Sequence, residues 1–427
     1  MGRPVPESII LKVWLDSISL RPDLMTEGGG PVRVIYPGRI VGNHGADIKD
    51  AVVSFGGLVK GGDIEIHARA SDWHRHNHQK DPAYNRVILH VVMQSDGTES
   101  TPLQNGGSAD ILEIRRYLES GMQALELAET PPDSSLACRR LAEQGGGEWL
   151  AEQLDIAGEG RFLAKTVMFK DDLSEVEADQ CFYQGIMEAL GYSENRKAFR
   201  ELARRVPLAD SLAVLKEAYS DDACAQVIQA RLLMVAGLVK PRQGNHAHRR
   251  RTMSVKDWHF CHNRPLNSPL RRISAMSRLL VRYRGKSMVR EIAGRLRDTS
   301  VAELPGALEE MLMVSCGSCG ELPGPALLGR ERAAVIVVNV VLPFMSAWGW
   351  HNSFQELASK AREVYHHYPR LSMNAIERHM VRQLGVSRDI VIGACRQQGL
   401  LHLYKTFCTQ GKCGTCPLVK ELCYSVR

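Results

Sequence analysis

The run Gly62-Asp63-Ile64-Glu65-Ile66-His67-Ala68 alternates polar and apolar residues. In a strand alternate side chains share a face, so Asp63, Glu65 and His67 are expected to project together while Ile64, Ile66 and Ala68 turn to the core. If 51–55 pairs antiparallel across the glycine-rich stretch Gly56 to Gly62, opposed residue numbers sum to about 117. That register sets Asp50 near His67 and Asp47 just beyond. Carboxylates on neighbouring strands suit a hard cation, Mg²⁺ or Mn²⁺, which takes oxygen ligands and can activate water for phosphodiester hydrolysis. The competing reading is a set of surface charges on an exposed hairpin.

Asp72-Trp73-His74-Arg75-His76-Asn77-His78 follows directly, then Asp81, Tyr84 and Leu89-His90-Val91. Five of the fifteen histidines therefore lie between His67 and His90. Imidazole is the common ligand for zinc, copper and iron and a usual general base. His67 and His90, on expected strands, are favoured as site residues over His74, His76 and His78, which fall on an expected loop. Asp50, Asp63, Asp72, His76 and His90 are supporting candidates around Asp47, Glu65 and His67.

A second group of ligand-type residues closes the chain. Cys408-x4-Cys413-x2-Cys416-x6-Cys423 places a CxxC between two further cysteines, spacing that lets four thiolates meet one metal. Zn²⁺ is the first expectation and a [4Fe–4S] cluster the alternative. Cys316-Gly317-Ser318-Cys319 is a second CxxC, without nearby partners in sequence.

The elements that must hold these residues divide the chain in three. Over 1–125 a helical stripe at Ile9, Ile10, Val13 and Trp14 precedes β-rich runs at 32–36, 51–55, 64–68 and 86–93, which predicts a small α/β core. Over 126–403 helical periodicity takes over, with helices expected at 148–154, 179–190, 196–204, 207–218, 224–239, 269–283 and 374–384. Residues 404–427 form the cysteine-rich segment. The fold class expected is α+β, a small N-terminal core, a larger helical domain and a four-cysteine metal knot.

The chain has 427 residues, 44% of them hydrophobic, enough for two or three domains. Its eleven cysteines, an odd number concentrated at the end, fit metal ligation in a reducing compartment better than a disulfide framework. With no export-type start and no eighteen-residue apolar run free of polar residues, a cytoplasmic protein without membrane attachment is expected. The net charge of +6 permits a polyanionic partner. Arg249-Arg250-Arg251, Arg271-Arg272 and the row Arg278, Arg282 and Lys286 are the places where phosphates could be met. Oligomeric state is not readable from these features.

The segments Gly62 to His67, Asp72-Trp73 with His76, Tyr84-Asn85 and Leu89 to Val92 resemble the signature of an uncharacterised bacterial family, domain of unknown function 2851. The likeness continues through Ala189-Leu190-Gly191-Tyr192 with Asn195 and Phe199, Arg264 to Asn267, Asn339 with Leu342-Pro343, and Gln397 to Leu400 before Cys408. A second resemblance is to the PD-(D/E)xK nuclease superfamily. Glu7 stands for its helix acid, Asp47 for its strand-end acid where the first family's pattern has Pro-Asp and this chain Ala46-Asp47, and Glu65-Ile66-His67 for its acid-x-lysine. His67 replaces the lysine and can act as base or join a metal shell. The resemblance implies a divalent-metal-dependent nuclease with Glu7, Asp47, Glu65 and His67 in the catalytic roles. The cysteine run, with altered spacing, resembles the cluster loop of endonuclease-three-like DNA glycosylases. Two other readings stand beside the nuclease: a zinc- or iron-dependent hydrolase of a small molecule, and a non-catalytic nucleic-acid-binding scaffold.

Overall fold

The structure is a computed structural model of the full chain. It describes residues 5–16, 18–21, 23–40, 45–118, 137–192, 194–216, 220–239, 252–260, 268–315 and 326–420. Cys423, the pair Cys316 and Cys319, the run Arg249 to Arg251 and the stretch Arg264 to Asn267 lie outside the described residues.

The architecture is α+β, an N-terminal sheet followed by a large helical region. Helix α1 (Glu7–Asp16) leads into strands β1 (Leu24–Met25), β2 (Pro31–Tyr36), β3 (Arg39–Ile40), β4 (Ile48–Phe55), β5 (Leu58–Arg69), β6 (Val87–Gln94), β7 (Ser100–Pro102) and β8 (Ser108–Glu113). Their order is β1-β2-β4-β5-β6-β8-β7, with β3 on β4. The eight described strands of this sheet exceed the four β-rich runs read from the sequence: β8 is added, together with β1, β3 and β7, whose two or three residues carry too little alternation to show in sequence.

Two features of β4 and β5 set the site. Gly56 and Gly57, at φ 56° and 97°, make a two-residue turn that right-handed strand twist favours, so Phe55 pairs with Leu58. The register expected from a longer loop is thereby corrected. Ala51 lies opposite Gly62 and Ile48 opposite Ile64, which brings Asp50 to Asp63 and Asp47 to Glu65, away from the expected Asp50 and His67 pairing. An irregularity between Ile48 and Ala51, with Asp50 at φ 58°, bends β4 at that point.

The twelve-residue β5 pairs antiparallel with β4 and, from Asp63 on, parallel with β6. A parallel neighbour requires a crossover. Here α2 (Asp72–Arg75) and the 3₁₀ turns His78–Lys80 and Pro82–Tyr84 supply it, packed on the sheet by the buried Trp73 and Tyr84. On the other face Ile10 and Trp14 of α1 cover Ile64, Ile66, Leu89, Val91 and Leu112. The alternation of β5 thus separates an apolar face under α1 from the face that bears Glu65 and His67.

After α3 (Arg115–Leu118) the helices are α4 (Ala137–Glu175, kinked at Gly146), α5 (Ala178–Leu190), α6 (Arg196–Arg205), α7 (Leu208–Leu215), α8 (Asp221–Val235), α9 (Pro269–Arg282), α10 (Met288–Asp298), α11 (Leu304–Leu312), α12 (Arg330–Ile336), α13 (Leu342–His351), α14 (Gln355–His367), α15 (Ala375–Leu384), α16 (Ala394–Thr406) and α17 (Pro417–Lys420). A helical stripe of apolar residues is a strong local signal, and the expected helices between 179 and 384 coincide with α5 to α9 and α15 within a few residues at each end.

Two compact units result, and they cross the sequence-based divisions at 125 and 404. One comprises residues 1–153, 373–390 and 400–427; the other comprises 154–372 and 391–399. In the first, the last segment returns to the N-terminal sheet, where Tyr36 makes edge contacts with His379 and Tyr404 and the His379 ring bonds the Ile35 carbonyl at 2.8 Å. In the second, the stretch Arg330–His351 is long and apolar enough to cross a bilayer by length and composition, and 78% of its most apolar eighteen-residue window is buried. Arg272, a candidate phosphate contact, is buried there between the Leu327 carbonyl at 2.8 Å and the Tyr192 hydroxyl at 2.7 Å. Arg278 and Lys286 of the expected basic row pair with Asp222 and Glu291 at 2.9 and 3.6 Å. Arg282 donates to the Glu310 carbonyl at 2.9 Å.

Candidate metal centre

Glu65 and His67 sit side by side on β5 with 5% and 1% of their surface exposed. The Glu65 carboxylate accepts the Asp47 main-chain N–H at Oε2, 3.0 Å, while Asp47 Oδ2 accepts the Ile66 N–H at 3.2 Å. This reciprocal pair follows from the two-residue turn, which puts the start of β4 opposite Ile64. Its effect is to fix Glu65 with Oε1 directed at the crossover. There Oε1 lies 3.6 Å from His67 Nε2 and 3.5 Å from His78 Nε2.

The crossover completes the cluster. His76 Nδ1 lies 3.1 Å from His67 Nε2, and ligand atoms of His67, His76 and His78 all fall within 4.8 Å of one another. His78 stacks on Tyr84 with ring centroids 3.8 Å apart, which sets its orientation. Four donors each about 2.1 Å from one ion at tetrahedral angles would stand roughly 3.4 Å apart. The three imidazoles form the mutually close group, and Glu65 stands beside two of them: His67 lies 3.1 Å from His76, and Glu65 lies 3.6 and 3.5 Å from His67 and His78.

Behind these donors runs a buried chain. His67 Nδ1 meets His90 Nε2 at 2.9 Å, and His90 Nδ1 meets Thr101 Oγ1 at 2.8 Å. With Nδ1–H donated in each ring, His67 keeps the Nε2 lone pair directed at the cluster. Such outer contacts orient metal-ligating imidazoles. His90 is therefore placed to position His67 and not to reach the centre itself. The expected ranking of the histidines changes accordingly: His76 and His78, assigned to an open loop, join the cluster, because the parallel crossover folds that loop back over β5. His74 is exposed on α2.

Electrostatics describe the same crowding. Burial pushes the Glu65 carboxyl up to about 9, with the charges of Asp47 and Glu7 adding to it. Asp47 is also raised by burial, against the opposing Ile66 N–H bond. Glu7, exposed at the start of α1, is raised by burial of its carboxyl and by Asp47, and it feels His76 and Asp72 as well. Burial lowers His67 to about 2 and His90 to about 3, the neighbouring imidazoles contributing. Buried acids facing neutral imidazoles are a donor set in want of positive charge.

The structure brings Asp47, Glu65, His67 and His76 together, with Glu7 at the start of α1 within electrostatic reach of Asp47, His76 and Glu65. The remaining candidates serve elsewhere. Asp63, raised by burial, accepts the Asp50 N–H at 3.1 Å and faces Arg86 at 3.7 Å; Arg86 also bonds Asp50 at 3.1 Å. Asp72 accepts the Arg69 N–H at 3.1 Å and pairs with Arg75 at 3.0 Å, closing the turn from β5 into α2. The face expected to carry Asp63, Glu65 and His67 together is interrupted by the register shift between Asp63 and Ile64 against β6. Thr101 is absent from the sequence-based candidates, and His78 ranks there below His67 and His90. For His78 the signal was present in the His-x-His spacing, whereas nothing local marks Thr101.

The fold and these donors define a candidate divalent-cation site of mixed imidazole and carboxylate character on a mixed sheet. Residues 7–312 match the profile of the family described as protein of unknown function, DUF2851, and the chain belongs to that family. Searches of curated proteins and of solved structures give no match.

Proposed function

We propose that this protein is a divalent-metal-dependent hydrolase of phosphodiesters, with nucleic acid as the substrate polymer. The observation that carries the reading is the convergence of Glu7, Asp47 and Glu65 with the imidazoles of His67, His76 and His78. An acid at a helix start, an acid just before a strand and an acid on the adjoining strand are the positions that the nuclease resemblance assigns to holding a cation and its water for phosphodiester hydrolysis.

Three nitrogen donors move the preferred cation from the expected Mg²⁺ or Mn²⁺ toward Zn²⁺, with Mn²⁺ the better fitting of the two expected ions. Such a cation, when bound, supplies charge to a phosphate oxygen and acidifies water. Glu65, His67, His76 and His78 would hold it. Asp47 and Glu7, beside that donor set and raised in pKa, are suited to take the proton of the attacking water. Arg75, on the exposed side of α2, offers a cation for the phosphate chain.

The count of imidazoles also favours a second reading, a transition-metal hydrolase of a small substrate at the same residues. One panel separates the two. Labelled DNA and RNA and a small diester such as bis(p-nitrophenyl) phosphate are incubated with Mg²⁺, Mn²⁺ and Zn²⁺, using wild-type protein and Glu65→Gln. Cleavage of polymer by wild type alone supports the nuclease reading. Cleavage of only the small diester moves the assignment to the second reading, and no cleavage of any substrate leaves a binding scaffold.

A further inference from the structure

Cys138 is 270 positions away from the cysteine run in sequence, on the first turn of α4. In the fold it faces that run. Both belong to the compact unit that carries the N-terminal sheet. Cys138, Cys408, Cys413 and Cys416 line one cavity of about 80 Å³, whose other walls include Gln383, Leu403 and Phe407. The four are free thiols, two of them buried and two half-buried.

The polar groups around these sulfurs are donors. Gln383 Nε2 stands 3.6 Å from Cys138 Sγ. Arg33 Nη2 stands 3.7 Å from Cys413 Sγ. A neutral thiol gains little from such donors. A thiolate gains much more, and hydrogen bonds to ligating sulfur are what tune metal–thiolate centres. Cys408 and Cys413 each open a 3₁₀ turn, so the backbone between Cys408 and Cys416 is already curled around the cavity.

We propose that Cys138, Cys408, Cys413 and Cys416 are the four sulfur ligands of one metal centre, an iron–sulfur cluster or zinc, with Cys138 supplied from α4; no three of these sulfurs lie within 4.8 Å of one another, so zinc, whose thiolates stand roughly 3.8 Å apart, requires them to draw together. The site is separate from the carboxylate and imidazole cluster and does not depend on the hydrolase reading. Its mechanical consequence is a staple, because it would join the first and last chain segments of one compact unit across everything inserted between them.

The test reads sulfur ligation directly. Wild type, Cys138→Ser and Cys423→Ser are purified at full length, analysed for zinc, iron and sulfide, and reconstituted with Co²⁺, whose thiolate charge-transfer absorption the imidazole site does not produce. Wild type should hold about one zinc, or a brown iron–sulfur cluster, per chain. Cys138→Ser should lose that metal and about a quarter of the charge-transfer intensity, while Cys423→Ser keeps both. As a measurement independent of the variants' folding, native wild type is alkylated before and after chelation and the modified cysteines are mapped. Cys138 should become reactive together with Cys408, Cys413 and Cys416, whereas Cys181 and Cys224, buried in the other unit, should stay protected. Full metal and full charge-transfer intensity in Cys138→Ser, or a Cys138 equally reactive before and after chelation, overturns the proposal.

Discussion

Replacing Glu65 by Gln should stabilise the metal-free protein while destroying its response to a cation. The carboxyl ordinarily titrates at 4.5 and is pushed up to about 9 in the fold, chiefly by burial. For a folded-state value that is raised, the favourable contribution is complete below 4.5 and is lost as pH climbs toward about 9. Each pH unit in that window costs roughly 1.4 kcal/mol, so at pH 7 the wild-type acid disfavours folding by about 3 kcal/mol relative to a neutral group of the same shape. Gln is such a group. Its carbonyl can accept the Asp47 N–H that Glu65 Oε2 takes at 3.0 Å, and its amide can donate to the neutral imidazoles beside Oε1. For a unit of this size, about 3 kcal/mol corresponds to a rise of roughly 6–12 °C in Tm. The assay is thermal unfolding of both proteins in chelator between pH 5 and pH 9, repeated with Mn²⁺ or Zn²⁺. The difference should be small at pH 5 and widen with pH, and added cation should raise only the wild-type Tm. Superimposable curves across that range in chelator would refute the account of a buried, charge-crowded acid, and an equal gain from cation in both proteins would refute its role as ligand.

Thr101→Val keeps shape but strands His90 Nδ1–H, so cation affinity measured by titration calorimetry should fall about 10–100-fold with the near-UV spectrum unchanged; undiminished affinity removes the relay from the argument. His67 and His90 are held well below their ordinary 6.5, a depressed folded-state value whose contribution is present above 6.5 and lost as pH falls toward about 2 and 3. Metal-free protein should therefore lose stability on acidification below pH 6.5, and His90→Gln should show a shallower acid limb in denaturant titrations at pH 4–6; an equal slope in both counts against buried neutral imidazoles. His67→Lys should abolish cation binding, since Nε2 stands at the centre of the donor set; retained binding with retained cleavage would mean that the histidine only orients water. Gly57→Ala, at φ 97°, should destabilise the β4–β5 hairpin by about 1 kcal/mol and weaken cation binding through a displaced Asp47; an unchanged midpoint in urea would detach the turn from the site.

Local signals carried much of this protein's description. The helices α5 to α9 were legible because amphipathic periodicity is written in neighbouring residues, and the four central strands because alternation is too. Glu65 and His67 share a face of β5 for the same reason, a period of two that no distant contact alters. What alternation could not contain was register. Whether Asp50 or Asp47 meets the site depends on a turn of two residues instead of seven, and each residue of slip exchanges one carboxylate for another.

The amino-acid sequence by itself determined the donor types, their faces and the place of the cysteine run. Tertiary structure alone decided which donors meet. A parallel β5–β6 pair forces the intervening chain across the sheet, and that crossing delivers His76 to His67 and His78 to Glu65 while withdrawing His90 to a supporting position. The return of the chain end to the N-terminal unit likewise sets Cys138 against Cys408, Cys413 and Cys416, a meeting that no spacing rule could supply. The physical reason is range: side-chain periodicity acts over a few residues, whereas closing a site from segments hundreds of residues apart is decided by burial of the whole core, which is a property of the assembled chain.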